Sequence, residues 1–223
     1  MTVLLVILTF ALFVGLDYLV TGRRPVREER PAAVPVPEPA APEPVWVGGY
    51  LLPEGFHYHQ GHTWARALDA STVLVGIDDF ARRLIGSARR LLAPARGAWL
   101  KQGEAGFRIG ADGREAEFVS PVEGEVLEVN ERLQARPGLA TEDPFARGWI
   151  LKVRVGDLVP NFRNLLSGRM AHRWIQEAGA DLRLRLMALS GSVLQDGGEP
   201  AADFARQLPE EDWRRLVREF LLT

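Results

Sequence analysis

From Lys101 to Pro121 the chain reads KQGEAGFRIGADGREAEFVSP. Asp112-Gly113 stands between the runs Phe107-Arg108-Ile109 and Ala116-Glu117-Phe118-Val119. Two apolar-alternating runs joined by Asp-Gly predict a β-hairpin with a two-residue turn, because glycine enters positive φ at little cost. Pro121 and Gly124 mark the next turn, and Glu125 to Val129 (EVLEV) alternates again.

The same pattern extends outward. Val73, Val75 and Ile77 alternate with Leu74 and Gly76 in a β-branched run. Asp78 and Asp79 then precede Phe80, Leu84 and Ile85 at helical spacing, and Gly86 ends that helix. Trp149 to Val155 predicts a last strand. Many short strands with regular turns point to a small barrel-like sandwich.

Downstream, NLLSGRMAHRWIQEAG places Leu165, Leu166, Met170, Trp174 and Ile175 close to one helical stripe, with Ser167 able to cap it. ADLRLRLMALSG alternates Leu with Arg, so period alone leaves strand and helix both open. PEEDWRRLVREFLL predicts a helix. Pro209 suits its first position, and Glu210, Glu211 and Asp212 favour its N-terminus. Trp213, Leu216, Val217, Phe220 and Leu221 form its apolar stripe. Such a stripe is usually core. Because it runs to the terminus, Trp213, Leu216 and Phe220 are also candidates for docking a partner helix.

Residues 3–16 (VLLVILTFALFVGL) are apolar except Thr9, and Arg23, Arg24, Arg27 and Arg30 follow. About 20 apolar residues match a bilayer core. The expectation is a single-pass anchor over 1–22 in the cytoplasmic membrane. By the positive-inside rule, the N-terminus is then outside and the body in the cytoplasm. A cleaved signal is the alternative, but no Lys or Arg precedes the stretch and no A-x-A-like site follows it. Six prolines over 31–45 make a linker with polyproline II character. The expected domains are the anchor 1–22, a basic then Pro-rich linker 23–47, a β-rich domain 48–158 and a helical extension 159–223.

Net charge is −2, which offers no bulk field for nucleic acid. The absence of cysteine excludes disulfides, thiolate metal sites and a cysteine nucleophile. No G-x-S-x-G elbow and no H-E-x-x-H stands in the chain. GFRIGADG lacks the lysine and strand-to-helix context of a phosphate loop. His57, His59 and His62 are weak metal candidates: the first two share a strand face, and His62 needs a turn at Gly61 to join them. No catalytic site and no cofactor are expected.

Several spaced stretches resemble the glycine cleavage H-protein family. HTWARAL at 62–68 is similar to its opening strand, and STVLVGIDDFARRLIG at 71–86 to a strand and short helix. SPVEGEVLEVNERLQARPGLATEDPFARGWILKV at 120–153 carries its Ser-Pro-Val-x-Gly-Glu-Val, Val-Asn-Glu, Glu-Asp-Pro and Gly-Trp elements. The resemblance spans about His62 to Val155. It implies a mainly β, α+β fold, a lipoyl-like barrel-sandwich hybrid. With it come the N-terminal transmembrane helix and C-terminal helical extension argued above. It also implies that the 101–121 hairpin is the one that presents a lipoyl-lysine in the family.

Here Gly113, flanked by Asp112 and Arg114, stands at that lysine position. Glycine has no amine, and a guanidinium stays protonated and is a poor nucleophile. The chain's only lysines are Lys101, in a turn, and Lys152, in a strand segment. The stretch 86–97 resembles a family segment that usually carries acidic residues, yet Ser87, Leu92 and Ala95 occupy those positions. Arg82, Arg83, Arg89, Arg90 and Arg96 crowd the neighbourhood. The first four are candidates for a docking face towards anionic lipid or an acidic partner; a solvated basic face is the plainer reading. The terminal extension resembles those of membrane-anchored H-protein-like paralogues.

The leading expectation is a non-lipoylated, membrane-tethered scaffold or accessory subunit. Its partners would be proteins of a membrane complex or lipoyl-handling enzymes. The alternatives are a lipoyl carrier of the glycine cleavage system, modified at Lys101 or Lys152, and a His-based metal-binding protein.

Overall fold

In a computed structural model the chain divides into two units, residues 1–39 and 40–223. The residues described are 6, 7, 9, 11–13, 42–111, 113–190 and 204–222. In the first unit Val6, Ile7, Thr9 and residues 11–13 are helical, and Val6, Ile7, Leu12 and Phe13 are exposed. Among the described residues no helix is long and apolar enough to cross a membrane. Most of the expected span 1–22, and of the linker as far as residue 41, lies outside them.

The second unit is built on three antiparallel sheets. A small ribbon pairs β1 (Trp46–Val47) with β2 (Tyr50–Leu51). A six-stranded sheet runs in the order β3 (His57–Tyr58), β4 (Thr63–Ala67), β5 (Thr72–Ile77), β11 (Leu151–Arg154), β10 (Gly124–Val129), β7 (Trp99–Leu100). A three-stranded sheet runs β6 (Ala88–Leu92), β8 (Ala105–Ala111), β9 (Arg114–Val119). The helices are α1 (Asp79–Ile85), α2 (Arg132–Ala135), α3 (Leu139–Glu142), α4 (Leu158–Arg163), α5 (Gly168–Ser190), α6 (Phe204–Gln207) and α7 (Glu210–Leu221). The mainly β expectation with added helices holds.

β5 explains the centre. Val73, Val75 and Ile77 are fully buried and Leu74 nearly so, because β5 is covered on both faces. Its Gly76 pairs with Trp64, and a Cβ there would lie 2.4 Å from the indole Cζ2. The missing side chain is the seat of this core tryptophan. Trp64 in turn meets Phe56 edge-on at 5.0 Å and stacks on Phe145 at 6.1 Å.

α1 starts and stops as its residues require. The Asp78 carboxylate accepts from the Ala81 N–H at 2.8 Å, and Gly86 closes the helix at φ +80°. The ambiguous Leu/Arg stretch is helix: α5 runs 23 residues without a break. Leu182, Leu186 and Leu189 pack on the core at helical spacing, whereas Leu184 is 63% exposed. A strand would need Leu182, Leu184 and Leu186 on one face. α7 forms as expected, with Pro209 just ahead of its first turn as the N-cap.

Candidate functional site

The 101–121 segment is the hairpin β8–β9. Ala111 pairs with Arg114 across a two-residue turn, and Ile109 with Ala116. The inner face stacks Phe107 on Phe118 at 5.3 Å. The outer face pairs Arg108 with Glu115 at 2.9 Å. Gly113 is exposed at φ +81°, and a Cβ on it would meet nothing within 4 Å. Asp112 lies outside the described residues. Arg114 turns back from the tip. Its Nη2 donates to the Leu208 carbonyl at 2.7 Å, and its guanidinium lies 5.4 Å from the Trp213 ring centroid.

Both lysines are elsewhere. Lys101 is exposed, 3.3 Å from Glu104 in the turn before β8. Lys152 lies on β11, 2.5 Å from Glu128 and above the Trp149 ring.

The arginine cluster divides in two. Arg82 and Arg83 both pair with Asp79, and Arg83 also donates to the Gly49 carbonyl at 2.6 Å and covers the Tyr50 ring. Arg83 ties α1 to the β1–β2 ribbon and Arg82 pairs within α1, so their expected place on an open docking face is corrected: a buried Asp79 carboxylate requires their charge. Arg89 and Arg90 are exposed on β6. With Arg96 they line a groove of about 720 Å³, opposite Leu127, Val129 and Leu133. The sequence did not disclose that second wall. β10 carries a register shift between Val126 and Glu128, which strict two-residue alternation does not foresee.

Trp213, Leu216 and Phe220 are corrected as docking candidates. They are 2%, 1% and 9% exposed and belong to the domain's own core. The stripe had a partner in the same chain.

The histidines do not form a metal site. Among the described residues no group of three His, Asp or Glu side chains could hold a metal ion. His62, at φ +60°, sits between Phe80 (ring centroids 3.9 Å apart) and Trp174 (4.7 Å). Its Nδ1 is 2.8 Å from the buried Asp78 carboxylate. His59 accepts the Gly61 N–H at Nδ1, and His57 packs on Phe162. Burial lowers the pKa of His57; burial and then the neighbouring His62 lower that of His59. The Asp78–His62 pair was not singled out from sequence. Asp78 was legible only as a helix-start residue.

A family model described as glycine cleavage H-protein matches residues 56–178. The chain belongs to the glycine cleavage H-protein family. Among its relatives, a probable glycine cleavage system H protein of Thermococcus gammatolerans is 35% identical over 130 residues, covering 58% of this chain and 96% of the relative. The glycine cleavage system H protein of Marinobacter nauticus is 35% identical over 106 residues, covering 48% of this chain and 82% of the relative. The crystal structure of a glycine cleavage system H protein from Mycobacterium marinum superposes with a TM-score of 0.50 at 22% identity, over 57% of this chain and 99% of that one, a likeness of fold. The H-protein match ends within α5, so α6 and α7 are additions to the family's matched region.

Proposed function

We propose that this chain is an H-protein-family module that carries no lipoate and serves as a scaffold or accessory subunit. The observation that carries the reading is the hairpin tip. Gly113 offers no amine, and the adjacent Arg114 is engaged with Leu208 and Trp213. Neither lysine stands at a tip, and Lys152 is held by Glu128. The tip has the shape to be presented and nothing to present. The relatives, named as H proteins of the glycine cleavage system, support enzymes of that system as one partner class, and a membrane complex is the other.

The intact mass of the natively purified chain tests this. An unmodified mass is expected. A lipoyl adduct that disappears in the Lys101→Arg/Lys152→Arg chain would establish the carrier reading instead.

The membrane part of the proposal rests on the apolar stretch 3–16, the arginines after it, and the outward Val6, Ile7, Leu12 and Phe13 side chains. On this reading the arginines after the stretch keep the body in the cytoplasm and the N-terminus outside. The natural chain has no cysteine, so single cysteines report cleanly. With a membrane-impermeant maleimide on intact cells, Thr2→Cys should label and Glu131→Cys should label only after permeabilisation. The reverse pattern would invert the topology, and release of both into the soluble fraction would remove the anchor.

A further inference from the structure

Arg89, Arg90 and Arg96 line the groove beside the hairpin, and no hydrogen bond or ion pair holds their side chains among the described residues. β6 shifts register against β8 between Ala88 and Arg90. That bulge turns two successive arginines to solvent, where a regular strand would send one of them inward. Gly110 faces Arg90 across the ladder, and a Cβ there would come within 3.3 Å of the Arg90 Cβ. Apart from Gln134 and two acids, the rest of the lining is apolar, from Leu91 on β6 and Leu127 and Val129 on β10 down to the fully buried Leu133. Of the two acids present, Glu128 is neutralised by Lys152 and Glu131 stands exposed at the rim. The groove is therefore cationic on one side and apolar at depth.

We propose that this groove docks an acidic segment of a partner protein, with carboxylates on the three guanidiniums and apolar side chains on the leucine floor. Guanidinium forks match carboxylates in plane, and a pair beside low-dielectric apolar surface is less screened than one in open water. The concavity favours a peptide over a bilayer. A flat anionic surface reaches the arginines and leaves the floor unfilled. The inference rests on the non-carrier, docking-module reading, which the intact mass tests separately.

The experiment uses the full-length chain in neutral phosphatidylcholine nanodiscs. The probe is a fluorescein-labelled peptide of alternating Glu and Leu, with a Gln–Leu peptide as uncharged control, followed by anisotropy. Saturable binding of the Glu–Leu peptide is expected, weakening as salt rises. The Arg89→Gln/Arg90→Gln/Arg96→Gln chain should bind about tenfold more weakly, and each single substitution about twofold more weakly. A charge-matched control, Arg163→Gln/Arg169→Gln/Arg173→Gln, removes exposed arginines outside the groove and should bind as the natural chain does. Because the three groove arginines hold nothing, the thermal midpoint should stay put, and the single variants answer should the triple one not fold. Any of four results overturns the proposal: equal binding by the triple variant, equal affinity for the Gln–Leu peptide, no binding of either peptide, or binding only to vesicles containing phosphatidylserine.

Discussion

The indole Nε1 of Trp213 donates to the carbonyl of Leu84 at 3.0 Å, closing a contact between residues 129 positions apart. Leu84 lies in the last turn of α1, where carbonyls have no partner within the helix. The added C-terminal helix supplies the missing donor. It also brings Leu216 and Leu221, both almost fully buried, into the same core. An element outside the family match has become part of the domain's interior.

Trp213→Ala should therefore destabilise the domain by about 3–5 kcal/mol, as for other large-to-small changes at buried aromatics. Trp213→Phe keeps most of the apolar surface and loses the hydrogen bond, so about 1 kcal/mol is expected. Equilibrium urea unfolding measures both. A Trp213→Ala loss under about 1 kcal/mol would mean that the helix sits on the core without contributing to it.

Asp78 serves two partners at once. One oxygen caps α1 at the Ala81 N–H, and the other meets His62 Nδ1. Asp78→Ala removes a cap costing about 1 kcal/mol. It also strands a buried imidazole nitrogen, for about 1–3 kcal/mol more. Asp78→Asn keeps an oxygen for the cap and should cost less than the alanine. If the two variants unfold at the same urea concentration, the retained cap oxygen contributes nothing.

Acid should weaken the fold through His57 and His59. Both have folded-state pKa values below the ordinary 6.5, so both resist protonation in the native state. The unfolded chain takes up protons first. Their contribution is complete above about pH 6.5 and declines as pH falls below it, levelling off beneath the folded-state values. Urea midpoints across that range should drop towards acid, and His57→Gln/His59→Gln should flatten the drop. An unchanged slope in the double variant would assign the effect to other groups.

Gly113→Lys should be tolerated by the hairpin. The space around a Cβ is open, so the cost is the positive φ alone, about 1–2 kcal/mol. Amide NMR spectra should shift only near the turn. Shifts spreading beyond the Arg114–Trp213 contact to Phe118 would show that the tip is coupled to the core.

The hairpin, β5, α1 and α7 were legible because their signals are local. Asp-Gly at the turn, the β-branched run at 73–77, Asp78 before Phe80 and the stripe from Trp213 to Leu221 each declare a conformation within a few residues. The mainly β character with a helical extension followed from them. α5 was not legible past Gly179, since a Leu/Arg alternation fits the period of a strand while both residues also favour a helix. Packing of Leu182 and Leu186, but not Leu184, decided it.

Sequence by itself determined that no amine stands at residue 113 and that the only two lysines lie elsewhere, because those are facts of covalent structure. Tertiary structure alone decided which charges are spent and which are open. Arg82, Arg83, Arg89 and Arg90 look alike along the chain, yet the first two neutralise a buried Asp79 and the last two face a groove. It likewise turned the α7 stripe inward and gave His62 to Asp78 rather than to a metal-ligand set. A side chain's role depends on what comes within a few ångströms of it, and residues such as Leu84 and Trp213 meet only when the whole chain has folded.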